Sequence, residues 1–227
     1  MKRLGALLLV ALLAALPRTA PADVTPGNDG VRSPAQVRSL QEIRFARVVQ
    51  QKWDQSCASA ALSTLLTYYL DNPTDETAII SDMVRYGDPL QVRQRGGFSL
   101  LDLKRYAQRH DYLSQGYGRL TLLELAEFKT PAIVPIRVRG YDHFVLFITL
   151  VGDRAVLADP AFGNLTLTAR QFERVWQNGI AFLVFKGAIQ PAKKAPEPDP
   201  NLPVSQPHNI GRALRGMGPV PPTSAGR

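Results

Sequence analysis

The 227-residue sequence holds a single cysteine, Cys57. No disulfide can close within the chain, so this thiol has some other reason to exist. Histidine is also scarce, at three residues. One thiol and dispersed imidazoles do not give metal-ligand spacing, and neither a metal nor a cofactor is expected. Blocks of like charge are missing, and the basic residues are spread out without aromatic interleaving, which argues against a nucleic-acid partner. The apolar run Leu4 to Leu16 is too short to span a bilayer comfortably.

That short run is informative for what surrounds it. Lys2 and Arg3 precede it and Ala20-Pro21-Ala22 follows, the three-part pattern of a secretory signal peptide over residues 1–22. The competing reading is an uncleaved anchor, which the short run and the small-residue site disfavour. Cleavage would leave a chain starting near Asp23, located in the periplasm, with no stable membrane span. It would also lower the formal net charge from +8 to +5, since Lys2, Arg3 and Arg18 go with the first 22 residues.

Residues 23–40 are rich in Pro, Gly, Ser and charge without period and read as a leader segment. Nine of the eighteen prolines fall between Ala188 and Arg227 with almost no large apolar residues, so 188–227 reads as a disordered tail. The stretch 41–187 is long enough to bury one core unaided and is expected to form a single domain.

Within it, Ala58, Ala61, Leu62, Leu65, Leu66 and Tyr69 recur at helical spacing until Asp71-Asn72-Pro73 stops them. Further helices are expected from Asp75 to Arg85, from Ser99 to about His110, from Leu122 to Phe128 and from Thr168 to Trp176. Ser99 with Asp102 three residues on reads as the cap of the second of these. Runs rich in β-branched and aromatic residues predict strands over Ala132–Val138, Phe144–Val151, Ala155–Ala158 and Ile180–Phe185. Helices first and an antiparallel sheet afterwards make an α+β domain.

This layout puts Cys57 at the opening of a helix, where unpaired N–H groups and the helix dipole favour an anion. Alone, such a cysteine could equally pack as a small apolar residue. Gln51, six residues earlier, could bring its amide beside the Cys57 N–H to form an oxyanion hole. Gln50 and Gln55 offer rival amides. Of the histidines, His208 lies in the tail and His110 ends a polar helix, whereas His143 heads the apolar strand from Phe144 and can be held rigidly as an acid–base group. Asp159, sixteen residues on, could orient that ring. Asp142 is nearer in sequence but alternates to the opposite face. With a three-residue turn over Gly152 to Arg154, Asp159 would face Phe147, about four residues or roughly 13 Å along from His143. A bend or bulge would have to close that gap.

The segments Gln51-Lys-Trp-Asp-Gln-Ser-Cys57-Ala-Ser-Ala-Ala-Leu, Ser99-Leu-Leu-Asp-Leu-Lys, His143-Phe-Val-Leu and Ala158-Asp159-Pro160-Ala161-Phe-Gly163 resemble, in this order, the bacteriocin-processing peptidase family. The similarity runs from about Phe45 to Lys186. It implies a papain-like cysteine peptidase fold with Cys57 as nucleophile, His143 as base, Asp159 as orienter and Gln51 at the oxyanion. The chain departs from many relatives by having Ser56-Cys57-Ala58 where they have Asp-Cys-Gly, a change that removes no catalytic atom. Relatives fused to ABC exporters cut leader peptides after double glycine in the cytoplasm. A signal peptide in place of a transporter implies a protein or peptide substrate met outside it, as for exported members that accompany bacterial functional-amyloid secretion systems. Rival readings are a transglutaminase-like acyl transferase and a silent module that binds export clients without cutting them.

Overall fold

In the computed structural model the described residues are 38–187. The signal peptide expected over 1–22, the leader up to residue 37 and the Pro-rich tail over 188–227 lie outside them. Among the described residues, no helix is long and apolar enough to cross a membrane.

The chain begins with a short helix, α1 (Leu40–Arg44), capped reciprocally by Ser39 and Glu42. The helix opened by Cys57 follows as α2 (Cys57–Tyr69), in which every residue from Ala58 to Leu66 is buried. Its buried hydroxyls are satisfied within the fold: Ser59 Oγ donates to Ser56 O at 2.8 Å and Thr64 Oγ1 to Ala60 O at 2.9 Å. Next come α3 (Glu76–Tyr86), capped by Asp75, and α4 (Pro89–Arg95), capped by Asp88 and ended by Gly96 at φ 76°. The expected capping box of Ser99 and Asp102 opens α5 (Leu100–Arg109).

After α5 the chain alternates strands with short helices: β1 (Tyr112–Tyr117), α6 (Leu122–Glu127), β2 (Ala132–Val138), β3 (Tyr141–Val151), β4 (Arg154–Asp159), β5 (Gly163–Thr168), α7 (Ala169–Val175) and β6 (Ala181–Lys186). The strands form one antiparallel sheet in the order β1-β6-β2-β3-β4-β5. Strand alternation sends Leu146, Ile148 and Ala158 into a core shared with α2, α3 and α5. It sends Val145, Phe147 and Leu157 into a second core closed by Leu125 of α6 and Phe172 of α7. The result is the expected α+β domain, a sheet with helices against both faces.

Four elements were not anticipated, and each hides for a physical reason. Helices α1 and α4 bury no residue, so no apolar stripe marks them. Strand β1 reads Tyr-Leu-Ser-Gln-Gly-Tyr at the sheet edge, and β5 carries Asn and Thr among its buried positions.

The β2–β3 hairpin corrects the expected start of its second strand. Arg139 and Gly140 both take positive φ, 55° and 83°, the requirement of a two-residue type I′ turn. Pairing therefore begins at Val138↔Tyr141 and runs through Ile136↔His143. His143 does not head the strand; it is the third residue of it, inside the ladder.

The β3–β4 hairpin corrects the expected turn. Val151 pairs with Arg154, so the turn has two residues, not three, with Gly152 at φ 57°. The register then shifts between Phe147 and Thr149, where a bulge leaves Leu146 opposite Ala158. Continued one step, that register sets Asp159 opposite Val145. The gap to His143 shrinks from four residues to two, a diagonal spacing that side chains can bridge.

Candidate active site

Cys57 occupies the first position of α2, where a backbone N–H has no partner within the helix. Ser56 before it makes no side-chain bond to the helix, and the first turn carries no acidic residue. The positive end of the helix dipole is thus left to the thiol, the only free cysteine and a partly buried one.

His143 faces this thiol from β3. Its side chain is 9% exposed, and Nε2 lies 2.8 Å from Oδ1 of Asp159, itself 3% exposed. With Nε2 turned to the carboxylate, Nδ1 is the nitrogen left for sulfur. Burial alone would lower the pKa of this ring. The charge and hydrogen bond of Asp159, then those of Cys57, outweigh burial and push it up to about 10. Asp159 is fixed in its turn: the N–H groups of Ala161 and Phe162 donate to the same Oδ1 at 2.8 and 3.1 Å. The turn is possible because Gly163 takes φ 78°, and a Cβ there would collide with the carbonyl of Arg44.

Gln51 lies on the loop into α2, with its backbone N–H donating to Pro160 O at 2.9 Å. That bond ties the cysteine side of the site to the strand end that carries Asp159. The side-chain amide donates to Trp53 O at 2.9 Å and, more distantly, to Asp54 O at 3.4 Å. Its Oε1 is buried without a partner. The rivals Gln50 and Gln55 are exposed.

The other candidates are drawn elsewhere. Asp142 points outward into a pair with Arg137 and accepts from Gln177 at 2.9 Å. His110 stacks on Tyr106 and meets Asp82, which also binds Arg109. His208 lies outside the described residues. No group of three or more His, Cys, Asp or Glu among the described residues could hold a metal ion.

Two neighbours of the site were missed in the sequence. Tyr141, two positions before His143, has its hydroxyl 3.5 Å from Asp54 O, and burial followed by the nearby Cys57 and Asp54 raises its pKa. Its spacing from His143, which puts both on one face of a strand, was the available signal. Glu76, fully buried at the start of α3, accepts from the N–H of Lys52 at 3.1 Å. Nothing in its sequence context sets it apart from an ordinary first-turn acid.

Residues 46–188 match the Peptidase C39 family. A protein of Pseudomonas aeruginosa named "Probable functional amyloid protease FapD" is 42% identical over 149 residues, 66% of this chain and 65% of that protein. Its namesake from Pseudomonas fluorescens is 41% identical over 152 residues, 65% of this chain and 64% of its own length. The chain thus spans about two thirds of the length of these relatives. Among solved structures, the peptidase domain of Streptococcus ComA superposes with a TM-score of 0.51 at 15% identity, covering 61% of this chain and 97% of that domain. This last likeness bears on fold alone, and it agrees with the papain-like expectation. Taken together, the matched stretch and the identities mean that the chain belongs to the Peptidase C39 family.

Proposed function

We propose that this protein is a cysteine peptidase that is exported to the periplasm and processes a protein of a secretion or functional-amyloid system. The observation that carries the reading is the His143 imidazole set between the Cys57 thiol and the buried Asp159 carboxylate. An imidazole held in one orientation by a buried carboxylate, beside a thiol at a helix start, is what nucleophilic acyl chemistry requires. The names of the Pseudomonas relatives support the substrate class.

The Cys57 proton rests on His143, which holds it as an imidazolium below about pH 10, and the thiolate attacks the peptide carbonyl, forming a C–S bond and a tetrahedral oxyanion. The Cys57 N–H and one N–H of Gln51 receive that oxygen. The Gln51 proton best placed to turn is the one in the long contact with Asp54 O. The imidazolium then donates to the leaving amine as the C–N bond breaks. Water, deprotonated by His143, attacks the thioester, releases the acid and restores the thiol. Asp159 holds the ring throughout.

The test is incubation of the purified protein with the proteins exported alongside it, read by mass spectrometry, beside Cys57→Ala and His143→Ala. Fragments made by the parent and by neither variant support the reading. Clients bound but left intact by the parent, with Cys57 alkylated by iodoacetamide no faster than a free thiol, would sink it in favour of a binding module. Products that incorporate an added amine would point to acyl transfer.

A further inference from the structure

Glu76 is fully buried, yet no basic side chain among the described residues pairs with it. The nearest ammonium, that of Lys52, goes instead to Asp75 Oδ1 at 3.1 Å and Thr77 Oγ1 at 2.8 Å. A carboxylate taken out of water without a counter-ion is costly to the fold. Burial accordingly raises its pKa, against the hydrogen bonds of Ser56 and the Lys52 N–H.

What the carboxylate holds is the loop between Gln51 and Cys57. Its oxygens accept the Lys52 N–H at 3.1 and 3.4 Å, and it also meets the hydroxyl of Ser56, the residue that leads into α2. Within the loop, that same hydroxyl donates to Trp53 O at 2.9 Å and accepts from Trp53 N at 3.2 Å. On the far side, the Gln51 N–H is fixed to Pro160 O at 2.9 Å. The loop is therefore pinned at Pro160, at Glu76 and at α2, and its two ends carry the two donors assigned to the oxyanion.

We propose that Glu76 is a positioning residue for the oxyanion pocket, its carboxylate fixing residues 52–56 so that the Gln51 amide and the Cys57 N–H keep one mutual geometry. The proposal rests on the peptidase reading for its catalytic consequence, though the anchoring can be tested without it. A buried charge replaced by an apolar side chain of like volume is often tolerated or even stabilising, which separates positioning from mere support of the fold.

The experiment compares the full chain with Glu76→Met and Glu76→Gln, reading kcat, KM, Tm and the amide exchange of Lys52 and Cys57. Glu76→Met is expected to melt within about 5 °C of the parent, to keep KM within about 3-fold and to lose at least about 10-fold in kcat, with faster exchange at Lys52. Glu76→Gln keeps an acceptor for the Lys52 N–H and is expected to retain a third or more of kcat. A folded Met variant with kcat unchanged overturns the proposal, as does a fall of kcat and Tm together in which Gln is no better than Met. If the Met variant does not fold, the Gln variant decides: kcat lost 10-fold while the Lys52 amide stays protected overturns the anchoring. If the parent cleaves no client, the peptidase reading has failed, and amide exchange still tests the anchor: faster exchange in Glu76→Met supports it, unchanged exchange refutes it.

Discussion

Replacing Asp159 by Asn removes one charge and little else. The side-chain oxygen that receives the Ala161 and Phe162 N–H groups is retained, so the turn keeps its bonds. What His143 loses is the main interaction that holds its proton against burial. Its pKa, about 10 in the parent, is expected to fall to the ordinary value near 6.5 or below. At pH 8 a ring with that value is protonated only about 3% of the time, which by itself predicts a roughly 30-fold loss of kcat/KM. At pH 6 the same change costs less than about 2-fold, so the loss must grow with pH. The same shift enters stability. A folded-state pKa above the unfolded one gives a contribution fully present below about pH 6.5 and lost as pH rises toward about 10. The stability advantage of the parent over Asp159→Asn should therefore shrink on the alkaline side. The assays are kcat/KM against pH for parent and variant, and an NMR titration of the His143 ring. A parent ring that titrates near 6.5, or a variant whose alkaline limb coincides with that of the parent, would refute the reasoning.

If Gln51 has the oxyanion role proposed for it, Gln51→Ala should lower kcat by about 10²-fold with KM little changed, measured by steady-state kinetics, since a donor to the oxyanion acts more in the transition state than in the ground state. Gly163→Ala should destabilise the fold by about 1–3 kcal/mol in denaturant titration and depress kcat, since φ 78° and the Arg44 carbonyl both oppose a Cβ beside Asp159. Asp142→Asn should leave kcat within about 2-fold and stability within about 1 kcal/mol, because its pair with Arg137 is exposed; a large kinetic loss would mean that the wrong aspartate has been assigned.

Much of this architecture could be read from the chain. The Ala58 to Tyr69 periodicity located α2 and hence the setting of Cys57, and the Ser99 with Asp102 box located the start of α5. The β-branched runs located β2, β3, β4 and β6 to within a few residues. Elements without a buried stripe, such as α4, carried no periodic signal. The approach of Asp159 to His143 was beyond a linear reading for a different reason. It depends on a bulge at Ile148, whose side chain joins the α2-side core, and bulges answer to packing across layers rather than to local propensity. Glu76 hid because a first-turn glutamate is normally solvated, whereas this one is buried and accepts the N–H of Lys52, 24 residues earlier.

The two-residue turn at Gly152 and Asp153 lies at the far end of β3 and β4 from His143 and Asp159. Surface turns usually drift in length between relatives at little cost. Here one inserted residue would advance β4 by one position against β3 and carry the Asp159 carboxylate to the other side of the sheet. A distant and seemingly idle hairpin tip thus behaves as a length gauge for the site, and descendants of this gene could gain or lose a codon there only with a compensating change at the bulge.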